Sequence, residues 1–141
     1  HYKMYSEVQL RERGGATAQS FRDIHDPDYV GAGLWISIHK ATLFLTEDEF
    51  IRYVRQLQKN FPCAHCKEHF GRYLQDKPPE KYKTIKIEHK GKVMELGMFL
   101  WSWEFHNAVN KRLNKPIMSW DTACQLFIEA DDCSKSCAVS K

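Results

Sequence analysis

Asn60-Phe61-Pro62-Cys63-Ala64-His65-Cys66-Lys67-Glu68-His69-Phe70 decides the fold class, because what leads into its two thiols separates the architectures that use a C-x-x-C pair. A thioredoxin-like dithiol follows a strand in a βαβ unit. Here the residues ahead of the pair read as a helix over about 47–60, burying Phe50, Val54, Leu57 and Phe61 at helical spacing. Thr46-Glu47-Asp48-Glu49 opens that helix with a capping box, and Pro62 resets the chain for a new first turn. Cys63, Cys66, Phe70 and Tyr73 then share one face of a third helix. Both sulfurs lie near its N-terminus, where the macrodipole and free N–H groups favour a thiolate.

Working outward, Leu34, Ile38, Ala41 and Leu45 form an apolar stripe on a first helix starting near Tyr29, with Trp35, His39 and Thr42 beside it. Lys77-Pro78-Pro79 ends the third helix, and Thr84-Ile85-Lys86-Ile87-Glu88 alternates in a segment that suits a small hairpin at about 83–94, with His89 solvated. A fourth helix over about 95–114 carries Leu96, Phe99, Leu100 and Trp103 on one face, which continues into His106, Asn107 and Asn110. A core face that turns polar needs partners, since an unpaired buried polar group costs about 1–3 kcal/mol. Met98, Trp101, Phe105 and Val109 make the opposite side apolar too, so this helix is central to a bundle or shared with a second subunit. Asn114-Lys115-Pro116 closes it, and Ser119 caps a fifth helix whose buried stripe includes Trp120, Cys124 and Phe127. The predicted fold is all-α: a four-helix bundle with a short fifth helix and the small hairpin. Residues 1–26 read as an arm or linker, 27–131 as the bundle domain, and 132–141 as a mobile cysteine-containing tail.

The 141 residues, 43% hydrophobic, suffice for one core. The net charge of +3 comes from dispersed lysines and arginines, which does not suggest nucleic-acid binding. No apolar run approaches the roughly 20 residues of a membrane span. The chain opens on His1 rather than methionine and reads as a piece of a longer protein. Five cysteines, at 63, 66, 124, 133 and 137, are too few and too uneven for a disulfide scaffold. Their clustering points to redox or metal chemistry.

Zinc is one reading: Cys63, Cys66 and His69, or the first pair with Cys133 and Cys137, have ligand types that suit it. The separation of 67 positions from Cys66 to Cys133 argues against a compact zinc ribbon. The other reading is a dithiol facing a cofactor inside a helical bundle. Trp35 and His39, the polar face of helix four, and Trp120 offer aromatic planes and hydrogen bonds for a heterocycle, while Lys111, Arg112 and Lys115 can meet phosphates.

Trp35-x-x-x-His39, Phe61-Pro62-Cys63-x-x-Cys66 and Phe105-His106-Asn107-x-Val109-Asn110-x-Arg112-Leu113-Asn114-Lys115-Pro116 together resemble the Erv/Alr family of FAD-linked sulfhydryl oxidases, over about residues 29–130. The Arg112-Leu113-Asn114-Lys115 form, followed by Ile117-Met118-Ser119-Trp120, is most similar to members from large DNA viruses. The resemblance implies a homodimeric bundle holding FAD, with Cys66 near the flavin and Cys63 outside it. Trp35, His39, His106, Asn107, Asn110, Lys111, Leu113, Lys115 and Trp120 would line the FAD site, and Val109 would pack beside it. Cellular members often carry a further disulfide between helix four and the segment before helix five. Trp103 and Trp120 stand at the matching places, so packed indoles are expected instead.

The implied reaction is thiol oxidation. A dithiol substrate protein, or a thioredoxin-like relay, exchanges into the Cys63–Cys66 disulfide, and Cys66 passes two electrons to FAD. Dioxygen then takes them as hydrogen peroxide. Cys133 and Cys137 are candidate shuttle thiols. A viral member would act at cytoplasmic assembly sites or in the virion, a cellular one in an oxidising organelle. The alternative is a zinc-binding helical adaptor built on Cys63, Cys66 and other Cys or His ligands.

Overall fold

The computed structural model describes residues 27–129. The arm at 1–26, the tail at 132–141 and the candidate shuttle pair Cys133 and Cys137 lie outside the described residues. In chain order the elements are α1 (Pro27–Phe44), α2 (Glu47–Lys59), α3 (Ala64–Asp76), a 3-10 turn (Pro79–Tyr82), β1 (Lys86–His89), β2 (Lys92–Glu95), α4 (Gly97–Arg112) and α5 (Trp120–Ala123), which runs on as a π-helical segment (Cys124–Glu129).

The punctuation follows local chemistry. Thr46 Oγ1 accepts the Glu49 N–H while Glu49 Oε1 accepts the Thr46 N–H, the reciprocal capping box. Cys63 caps α3 with its sulfur, which accepts the Cys66 N–H at 3.3 Å. Asn114, at φ 56°, takes the left-handed conformation that stops α4. In the antiparallel hairpin Ile87 faces Met94 and His89 faces Lys92. Its two-residue loop places Lys90 at φ 51° and Gly91 at φ 78°, the geometry of a type I′ turn.

Helix α4 is central to the bundle, with a separate hydrophobic cluster on each face. Met98, Trp101 and Phe105 pack with Ile38 of α1, Phe50, Ile51 and Val54 of α2, and Phe70 and Leu74 of α3. Phe99, with Leu96 just ahead of α4, packs instead against Ala123, Cys124 and Phe127. Cys124 is a buried free thiol. Helix α1 packs on α4, α2 packs on α1 and α3, and the 3-10 turn packs on α4. That last contact is close: a Cβ at Gly97 would stand 1.8 Å from the Tyr82 carbonyl oxygen.

Three expectations change. Leu45 is exposed, because α1 ends at Phe44 and the predicted stripe stops at Ala41. Ser102 replaces Leu100 and Trp103 as a fully buried residue of α4. His89 is not solvated: its Nε2 is buried, 3.0 Å from a Glu129 carboxylate oxygen but off-line for a hydrogen bond.

Candidate functional site

A cavity of about 790 Å³ opens between α1, α3, α4 and the chain after α4. Cys63 and Cys66 line it, together with His65 and His69. Its walls are Trp35, Phe61, Phe70, Tyr73, Phe105 and Val109; Phe127 reaches it from the π-helical segment. Asn110, Arg112, Leu113 and Lys115 complete the lining. The volume and mostly apolar lining suit a drug-sized or larger organic ligand.

The thiols divide the proton unequally. Hydrogen bonds from the Cys66 side chain and then its backbone N–H hold the Cys63 thiol below its ordinary value. Burial, followed by that same side-chain bond, pushes Cys66 up to about 11. The helix-start expectation that both thiols are made more acidic therefore holds in direction for Cys63 and fails for Cys66. Desolvation at Cys66 outweighs what the helix start supplies. Arg112 lowers both thiols.

Also in the lining, Trp35 lies flat on His106, ring centroids 4.0 Å apart and 6° from parallel. His106 Nδ1 is 2.9 Å from His39 Nε2, and His39 Nδ1 is 2.9 Å from Ser102 Oγ. His39 and Ser102 are both fully buried. Burial, and then His106, push His39 down to about 3. Burial and the Lys115 charge push His106 down to about 4. Both imidazoles are neutral at pH 7.

Trp35, His106, Val109, Asn110, Leu113, Lys115 and both thiols meet at the cavity. His39 stands behind Trp35 and His106 and supports them. Asn107 turns toward the loop after α4: its Nδ2 donates to Met118 O at 2.8 Å and its Oδ1 accepts Met118 N–H at 2.9 Å. Lys111 is exposed at the last turn of α4. Trp120 packs edge-to-face on Trp103 at 5.3 Å and 80°, with the Trp103 indole N–H donating to Met118 O at 2.9 Å. The two indoles thus join α4 to the start of α5 by packing, as expected from their positions.

Spacing alone does not single out Ser102, Arg112 as a neighbour of the thiols, or the rings of Phe61, Phe70, Tyr73 and Phe105 as walls. The aromatic positions were visible as core, but which side of the core was hollow was not. His65 and His69 contact each other edge-to-face, with Nε2 atoms 3.2 Å apart. Among the described residues, no group of three or more His, Cys, Asp or Glu side chains is arranged to hold a metal ion, so the zinc adaptor gains no support. None of the described helices is long and apolar enough to cross a membrane.

Comparison with known proteins bears on the same residues. The sequence model of the Erv1/Alr family matches residues 32–133. A FAD-linked sulfhydryl oxidase of African swine fever virus (isolate Tick/Malawi/Lil 20-1/1983) is 28% identical over 97 residues, 64% of this chain and 72% of the viral protein. Protein 096R of Invertebrate iridescent virus 3 is 26% identical over 110 residues, 72% of this chain and 68% of its own length. The mitochondrial FAD-linked sulfhydryl oxidase ERV1 of Saccharomyces cerevisiae is 25% identical over 108 residues, 70% of this chain and 51% of the yeast protein. The matched span contains every wall of the cavity from Ala32 to Phe127 and both thiols, and the chain belongs to the Erv1/Alr family.

Proposed function

We propose that this chain is an FAD-linked thiol oxidase that makes disulfides in dithiol substrate proteins through Cys63 and Cys66, working as a homodimer around the bundle domain of residues 27–131. The observation that carries this reading is one cavity lined both by the dithiol and by the stacked Trp35–His106 pair. That donor set fits the cofactor. Flat aromatic faces suit its ring systems, Asn110 and His106 offer hydrogen bonds, and Lys111, Arg112 and Lys115 lie where α4 ends, with charge to meet phosphates.

Bound FAD would supply the two-electron acceptor, reoxidised by dioxygen with hydrogen peroxide formed. The protein's own part is thiol exchange. A substrate thiolate attacks Cys63 of the Cys63–Cys66 disulfide, forming a mixed disulfide and releasing Cys66. The second substrate thiol, as thiolate, displaces Cys63, so the substrate leaves oxidised and the pair is left reduced. In the reduced pair Cys63 is held as the more acidic sulfur and Cys66 keeps its proton. The deeper burial of Cys66 shields it from bulk dithiols, while Arg112 eases its negative charge during release. Cys133 and Cys137 are proposed to relay electrons from substrate to this inner pair.

The test is a visible spectrum of the purified chain. A yellow protein whose flavin bands bleach under a dithiol without oxygen, and return on admitting air with peroxide released, supports the proposal. A colourless protein that refuses added FAD sinks it. Cys63→Ser and Cys66→Ser should each abolish bleaching by dithiol. A Cys133→Ser/Cys137→Ser double variant should slow turnover on a protein dithiol but not on a small one.

A further inference from the structure

The chain from Ser102 through His39 to His106 carries a polarity that can be worked out from its far end. Ser102 Oγ lies 2.8 Å from the Phe99 carbonyl oxygen. Two oxygens that close need a proton between them, and only the hydroxyl has one to give. Ser102 therefore donates to Phe99 O, and its oxygen is left to accept from His39 Nδ1. His39 is neutral, so a proton on Nδ1 leaves Nε2 bare. The His39 Nε2 contact with His106 Nδ1 then requires the proton to sit on His106 Nδ1. Because His106 is neutral as well, its own Nε2 carries a lone pair. That nitrogen lies on the ring edge away from His39, and His106 lines the cavity. The nearby Lys115 charge favours the same arrangement, since a cation prefers a lone pair to an N–H facing it.

We propose that Ser102 is a positioning residue: acting through His39, it holds both imidazoles in their Nδ1–H tautomers, so the cavity wall presents His106 Nε2 as a hydrogen-bond acceptor. The site then takes its ligand there by an N–H or O–H donor and disfavours a carbonyl or anionic oxygen. The ligand half of this statement rests on the flavin reading above; the tautomer half does not. Reversing the hydroxyl proton would reverse every bond in the chain and turn His106 Nε2 into a donor, so one buried serine sets the sign of a group two residues away in the network. Ser102 and His39 are sealed from water, which leaves no solvent molecule to scramble that order.

Two-bond proton–nitrogen correlation spectra of the 15N-labelled full chain read histidine tautomers directly. Without flavin, His39 and His106 should both show the Nδ1–H pattern, the less common form of a free imidazole. Ser102→Ala removes the acceptor, and both rings should shift toward the Nε2–H pattern, with FAD affinity about tenfold weaker. Ser102→Thr keeps the hydroxyl and should restore both readouts. A wild-type His106 protonated on Nε2 overturns the proposal, whatever the variants do, so failure of Ser102→Ala to fold does not protect it. Unchanged patterns in a folded Ser102→Ala also overturn it. A chain with the stated tautomers that takes up no FAD supports the relay and overturns the flavin reading instead.

Discussion

Lowering the pH from 7 to 5 should destabilise this protein through two buried histidines. Free imidazole titrates near 6.5, but His39 is held down to about 3 and His106 to about 4. Above pH 6.5 both are neutral whether the chain is folded or not, and their stability contribution is fully present. As the pH falls below 6.5 the unfolded chain binds a proton at each position that the folded chain refuses. The loss is about 1.4 kcal/mol per histidine per pH unit. At pH 5 this is about 2 kcal/mol for fully buried His39, and the half-buried His106 raises the total to about 3 kcal/mol after allowance for its solvent access. The loss at His106 is complete only below about pH 4, and that at His39 below about pH 3. Glu49, Glu80, Glu129 and Asp48 are all held below their ordinary values of 4.5 or 3.8, so their acid losses fall mainly below this window. His69 is also held down and acts in the same direction, but solvent reaches it and screens its contribution. Urea unfolding of the full chain at pH 7, 6 and 5 measures the effect, with His39→Gln as the variant that removes the first histidine and its charge coupling to the second. The midpoint should fall steadily in wild type and by less than half as much in the variant. A wild-type midpoint that does not move between pH 7 and 5, or a variant equally sensitive to acid, would refute the burial argument.

Gly97→Ala should cost about 3 kcal/mol or more, because the added methyl meets backbone at Tyr82. Helix propensity alone predicts a gain of about 1 kcal/mol, so the sign of the change in thermal midpoint decides between them. Asn107→Ala removes both bonds to Met118 and should cost about 1–3 kcal/mol; amide exchange at Met118 should rise with it, and slow exchange there would count against the clamp. Cys66→Ala deletes the side-chain bond that most lowers Cys63, so the pH midpoint for alkylating Cys63 should move upward. An unmoved midpoint would mean that the backbone N–H alone sets its acidity.

Much of this architecture is written in short-range chemistry. Thr46 and Glu49 must cap whatever helix follows them, and Pro62 must interrupt one helix and suit the start of the next, regardless of the surrounding fold. Met98, Trp101 and Phe105 on one side of α4 and Phe99 on the other mark a helix with core on two faces, because no surface helix can leave both exposed. The C-x-x-C pair on a helix start, reached from a helix, is likewise a property of neighbours in the chain.

The rest depended on what came together across the bundle. Periodicity places Asn107, Trp120 and His39 on inward faces, but it does not distinguish lining a cavity from clamping a loop, packing on another indole or standing behind a wall. The acidity of the thiols followed the same rule. Both share the helix start, yet burial, which only packing creates, dominates at Cys66 and is outweighed at Cys63 by the hydrogen bonds from Cys66. Ser102 shows the limit most plainly: in the chain it is an ordinary polar residue between two tryptophans. Only the fold removes water from it and sets it against His39, 63 positions away, where one hydroxyl proton has a direction to choose.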